Sequence, residues 1–253
     1  PISVHTVPVP PRRVAGMTEQ TFTAPLETLR KRVQEATQRL LGDTIGISDG
    51  DWNRASLLPG WSRANVAAHL SANADALAEL IDEAVQGRSV ALYADEELRT
   101  EGIERGSCMT GLELQICLDT SAGRLERAMD AVTDWSAPVA FLGRRLTLAQ
   151  VPMARLSEVV VHHLDLDCGF DTGRLDSSSA RWLLQWAELR YADGSDLPAV
   201  RLESTSGLTA ELGAAGERRT VTGSDAALWG WLMGRTRPDE VEGSDGLTPA
   251  LRA

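Results

Sequence analysis

"LSEVVVHHLDLD", residues 156–167, reads as a buried helix, yet it holds two of the chain's four histidines and three acidic residues. Glu158 and His162 stand four apart, so their side chains leave one helix face about 5–6 Å apart at Cβ. Such a pair makes an i,i+4 hydrogen bond, the plain reading, or chelates one ion, because zinc takes its ligands at about 2.0–2.2 Å. Asp165 continues the same face and is placed to accept from the other ring nitrogen of His162, fixing its tautomer. His163 points about 100° away from His162 and is not expected to reach the same ion.

Three more segments carry helical periodicity. The first covers about 23–41, with Leu26, Leu29, Val33, Ala36 and Leu40 spaced by three and four. The second follows the turn "LLPGW", takes Ser62 as its N-cap and runs until Gly87. Val66, His69, Leu70, Asn73, Leu77, Leu80 and Ile81 share one of its faces. The third spans about 111–132, with Leu112, Ile116, Ser121, Leu125 and Met129 as its stripe. "FLGRRLTLAQ" reads as a short hairpin leading into the fourth helix, about 148–166. Four such helices with moderate connections predict an antiparallel four-helix bundle over 18–172. After the glycines of "DCGFDTG" the pattern shifts to a helix around 179–191, three strand-like runs ("AVRLEST", "LTAELG", "RRTVTG") and a last helix from Ser224 to about Gly234. That is a small α+β domain over 173–253, in which Trp182, Trp186, Trp229 and Trp231 pack the core.

The composition narrows the class. A net charge of −11 argues against nucleic acid and anionic membrane surfaces as partners. No apolar run is long enough to span a bilayer. The opening "PISVHTVPVPPRRVAG" is broken by prolines where an export signal needs an apolar core, so residues 1–17 are expected to be a disordered leader or an added segment. His5 lies within it and carries no inference. Cys108, Cys117 and Cys168 form no CxxC pair, which suits thiols packed as small hydrophobes in a reducing cytoplasm. Lys31 is the only lysine, the other 24 basic residues being arginine. Phosphate loops, GxGxxG fingerprints and GxSxG elbows are absent from the sequence.

His69 gives the helices a chemical connection. It sits on the face expected to meet the bundle core, where both ring nitrogens need partners. One hydrogen-bonded core histidine is the bland reading. With Glu158 and His162 facing inward as well, a single cation satisfies all three, and facing bundle helices are where metal sites are built. Two histidines and one carboxylate leave a coordination position open, as in catalytic zinc sites, although the same set suits iron, nickel or cobalt. Asn73, one turn beyond His69, either orients a ligand or makes a bundle hydrogen bond.

"GWSRANVAAHLSANA" (60–74), "YADEELRTEGIERGS" (93–107) and "RLSEVVVHHLDLDCG" (155–169) closely resemble three blocks of the mycothiol-dependent maleylpyruvate isomerase family, and "TVTGSDAALWGWLMGR" (220–235) resembles its second domain more loosely. The resemblance implies a DinB-like four-helix bundle with a C-terminal α/β domain. It implies zinc on His69, Glu158 and His162, with mycothiol binding at the metal. It places Arg235 on a catalytic or substrate-carboxylate position and Arg99 near the thiol cofactor. His163 departs from the family pattern and alters the pocket wall. The expected chemistry is attack of a metal-activated thiolate on an electrophilic, carboxylate-bearing small molecule, giving cis–trans isomerisation or thiol transfer in a cleft between the two domains. A bundle that binds metal or a small molecule without turnover, and a thiol-independent metal hydrolase, are the competing readings. Apart from its helical C-terminal position, which suits the helix dipole, nothing but the resemblance singles out Arg235.

Overall fold

The structure is a computed structural model and describes residues 24–93, 96–141, 144–191, 199–213, 216–236 and 238–247. The expected leader 1–17 and His5 lie outside the described residues. Eight helices are seen among them: α1 Leu26–Thr44, α2 Asp49–Trp52, α3 Arg63–Val85, α4 Glu96–Gly106, α5 Gly111–Asp130, α6 Val151–Asp165, α7 Ser177–Tyr191 and α8 Asp225–Leu232. The chain is mostly helical, with two small sheets.

Four long helices pack side by side, α3 against α5 and α6, and α1 against α6 and, less extensively, α5. Their ends are set by local chemistry. Ser62 and Asn65 form a capping box at the start of α3, and Thr110 and Glu113 form another at the start of α5. Pro152 opens α6, where a missing N–H does no harm. Between α5 and α6 the chain makes the expected hairpin, β1 Pro138–Phe141 paired antiparallel with β2 Arg144–Thr147.

The C-terminal part is a three-stranded mixed sheet in the order β4-β3-β5, formed by β3 Val200–Ser204, β4 Thr209–Leu212 and β5 Arg219–Gly223. Strand β3 is antiparallel to β4 and parallel to β5, and its alternation buries Val200, Leu202 and Ser204. Helices α7 and α8 pack on each other and on the sheet. Trp186, Trp229 and Trp231 are buried there, while Trp182 is partly buried against the same core. One continuous apolar cluster joins the two parts, running from Leu29, Leu77 and Val160 through Trp186 to Leu202 and Trp229. Each fully buried aliphatic side chain in it contributes about 1.5–3 kcal/mol.

Three expectations are corrected. Leu112 and Ile116 do not lie on the inner stripe of α5; they are 67% and 51% exposed, and Leu114 and Leu118 face inward instead. Both pairs have helical spacing, and only the position of α3 decides between them. Cys108 is exposed and Cys117 half-buried, so these two are not core hydrophobes, whereas the half-buried Cys168 does pack against the apolar cluster of the helices. Helices α2 and α4 were not foreseen. The first is a single turn, and the second buries only Ile103 among its described side chains, which leaves no periodic stripe to read.

Helix α4 seats on α3 through a close approach. A Cβ at Gly106 would stand 2.8 Å from the Cβ of Ala68, next to His69. Replacing a helical glycine normally gains up to about 1 kcal/mol. Here Gly106→Val is expected to destabilise the protein by about 1–3 kcal/mol through overpacking. Urea denaturation measures it, and an unchanged or raised stability contradicts the contact.

Candidate metal centre

The end of α6 is tied to the start of α3. Leu57 N–H donates to the Asp165 carbonyl at 2.9 Å, and the Arg63 guanidinium donates to the Asp167 carbonyl at 2.8 Å. Asp167 takes a left-handed φ of 48°, a conformation aspartate tolerates at a helix end. These ties bring His69 on α3 beside Glu158 and His162 on α6.

Ligand atoms of all three lie within 4.8 Å of one another. His69 Nε2 is 3.1 Å and His162 Nε2 is 3.6 Å from Glu158 Oε2. The edge of a tetrahedron around an ion with bonds of about 2.0–2.2 Å is roughly 3.3–3.6 Å, which the second separation meets and the first falls just short of. The imidazoles meet edge to face, 4.6 Å between centroids, and Trp61 packs edge-on against His69. Both rings are buried, at 4% and 2% exposure.

The donor chemistry also suits a cation. His162 Nδ1 is 2.9 Å from Asp165 Oδ2, a pure acceptor when ionised, so Nδ1 carries a proton. His162 Nε2 is buried with no hydrogen-bond partner. Burial pushes His162 down, but Asp165 and Glu158 hold it above the ordinary imidazole range. Burial raises Glu158, yet the nearby imidazole of His162 and the bonded one of His69 hold it well below the usual carboxylate range. Burial lowers His69 despite its bond to Glu158. The centre therefore holds an anion that stays ionised, two imidazoles, and an unmatched ring nitrogen, a set that two histidines and a carboxylate bring to a divalent ion.

The other expected residues surround this core. Asp165 is fully buried and takes a two-pronged hydrogen bond from Arg235, Nε to Oδ1 at 2.9 Å and Nη2 to Oδ2 at 3.1 Å. Arg235 also bonds the Met233 carbonyl. The turn that delivers it is local. Gly234 takes φ 69° at the end of α8, and the Arg235 N–H returns to the Gly230 carbonyl at 2.8 Å. The planar edge expected to meet a substrate carboxylate thus holds Asp165 instead. Arg99 on α4 stacks 4.7 Å from the Tyr93 ring and donates to His69 Nδ1 at 3.1 Å. An arginine only donates, so this contact places the His69 proton on Nε2; an ion on Nε2 asks for the opposite tautomer and for Arg99 to release the ring. Asn73 does not touch the trio. It donates to the Tyr93 hydroxyl at 3.1 Å and accepts from Arg155 at 2.8 Å. His163 faces elsewhere, 3.2 Å from Asp43 and stacked on Phe170.

Sequence reasoning missed Arg155, Tyr93 and Trp61. Arg155 had a readable signal, a charge within the otherwise apolar face of α6, one turn before Glu158. Between the helices and the second part, Glu158, Trp186, Arg190 and Met233 line a hollow of only about 10 Å³.

The profile of the mycothiol maleylpyruvate isomerase N-terminal domain matches residues 33–167, more than half of the chain. The chain belongs to that family. Two solved structures, the mycothiol-dependent maleylpyruvate isomerase and a histidine-to-alanine mutant of it, are each 25% identical with a TM-score of 0.82, covering 89% of this chain and 95% of theirs. Among curated proteins no significant match is found. Among the described residues no helix is long and apolar enough to cross a membrane.

Asp165 and Arg235 join the two parts of the chain through a buried ion pair, so removing either half leaves a charge without its partner. Asp165→Asn and Arg235→Ala are each expected to cost about 3–5 kcal/mol. The double variant should cost clearly less than the sum. Urea unfolding of the four proteins measures the coupling, and additive losses contradict it.

Proposed function

We propose that this chain is a zinc- and mycothiol-dependent enzyme acting on a small electrophilic carboxylate, as a maleylpyruvate-type cis–trans isomerase or a thiol transferase. The observation that carries the reading is the partnerless Nε2 of His162 beside Glu158 Oε2 and His69, in a chain of this family. Under this reading α1, α3, α5 and α6 form a DinB-like antiparallel four-helix bundle over 18–172, and 173–253 is the second domain of a cytoplasmic enzyme.

His69, Glu158 and His162 hold the metal. A bound zinc supplies the Lewis acidity that lowers a thiol's pKa and makes it a nucleophile at neutral pH. The protein's own groups set the stage for that chemistry. Asp165 keeps the proton of His162 on Nδ1, so Nε2 faces the centre with its lone pair. Arg235 fixes Asp165 and is a positioning residue in this arrangement, one step removed from the catalytic or substrate-binding role the resemblance gives it. Arg99, released from His69 when the ring changes tautomer, offers a guanidinium to an anionic group of the thiol cofactor or the substrate. Trp61 shields one side of His69 from water.

The test combines metal analysis of the purified chain with turnover of maleylpyruvate in the presence and absence of mycothiol. Wild type is expected to hold about one zinc per chain and to turn over only with the thiol. His69→Ala should lose both metal and turnover. Asp165→Asn should bind metal about 10–100-fold more weakly. Turnover without thiol, or full metal content in His69→Ala, contradicts the proposal.

A further inference from the structure

One cavity lies away from the metal centre. It measures about 240 Å³ and opens between α1 and α5. At its rim the two helices are bridged by Arg30 with Asp130 and by Gln34 donating to Glu126 at 3.1 Å. Val33, Leu125 and Met129 give it an apolar part, and Glu27, Asp119 and Glu126 also line it. At its inner end stands Arg155, which reaches in from α6 and is only 3% exposed.

Arg155 is an unusual residue to bury. Its Nη1 donates to the Leu70 carbonyl at 2.9 Å and to Asn73 Oδ1 at 2.8 Å. Among the described residues its Nε and Nη2 make no hydrogen bond, and no carboxylate lies within ion-pair distance. Burial draws the guanidinium down to about 10, which still leaves it a cation at neutral pH. A charge taken out of water is costly unless it meets an opposite charge. Glu158 and Asp75 support the charge only from beyond ion-pair distance, and Arg155 lines the cavity.

We propose that the α1–α5 chamber is a second ligand site, for a small monocarboxylate with a compact apolar body, whose carboxylate seats on the Nε–Nη2 edge of Arg155. The planar fork matches a planar carboxylate with two parallel hydrogen bonds. One buried cation calls for one negative charge, so a monoanion fits better than a phosphate dianion. The volume falls below the roughly 300–1,000 Å³ of most small-molecule pockets, which restricts the guest to a small molecule. The site is separate from the metal centre and does not depend on the metal–thiol reading.

The experiment is calorimetric titration of the full chain with 4-phenylbutyrate as probe. Wild type is expected to show one saturable site. Arg155→Met and Ala122→Trp, the second filling the chamber wall while leaving Arg155 in place, should each weaken binding at least tenfold. The uncharged 4-phenylbutan-1-ol should bind at least tenfold more weakly than the acid, and inorganic phosphate should fail to displace the acid. Ala122→Trp decides the matter if Arg155→Met does not fold. The proposal is overturned by no binding at millimolar probe, by equal binding to Ala122→Trp, by equal affinity for the alcohol, or by displacement with phosphate.

Discussion

A carboxylate held between two buried imidazoles is the constraint around which this protein is arranged. Glu158 cannot leave water alone, because a buried anion without partners loses its solvation and regains little. Its oxygen therefore sits against His69 and His162, and each ring is itself held from behind, His162 by Asp165 and His69 by Arg99. Asp165 in turn takes the fork of Arg235. The chain of partners runs from α4 through α3 and α6 to the turn after α8. It gives the helices and the C-terminal part of the chain a shared polar joint within a continuous apolar core. Burial of so many charges contributes little net stability by itself. Its effect is to fix the geometry of the three ligand atoms.

Much of the fold is legible from residue spacing, and the failures are informative. The four long helices, the hairpin, the three strands and α8 follow from periodicity, capping residues and glycine stops. The face of α5 does not, since Leu112 and Ile116 have the same spacing as Leu114 and Leu118 and local sequence cannot choose between them. Helix α4 escapes notice because it lies against α3 through Ile103 and a glycine contact rather than through an apolar stripe.

The convergence of His69, Glu158 and His162 is legible for a simple reason. Polar side chains on faces that must be buried need partners, and few residue types were present to supply them. The pairing of Arg235 with Asp165 is not, because seventy residues separate the two and either one alone reads as a helix-end charge. Arg99 shows the same limit. The family resemblance implies a place near the thiol cofactor but says nothing of a hydrogen bond to His69, whose direction fixes the tautomer. Arg155 marks a further boundary, since a charge within an apolar face announces that something polar must meet it without saying what.

The central claim is that these three side chains form one metal site with room for a sulfur ligand. X-ray absorption of the zinc-loaded chain, before and after addition of mycothiol, measures this most directly. The account predicts a first shell of nitrogen and oxygen at about 2.0–2.2 Å that gains one sulfur scatterer at about 2.3 Å with the thiol. A shell that gains no sulfur, or one unchanged when His69 is replaced by alanine, would contradict it.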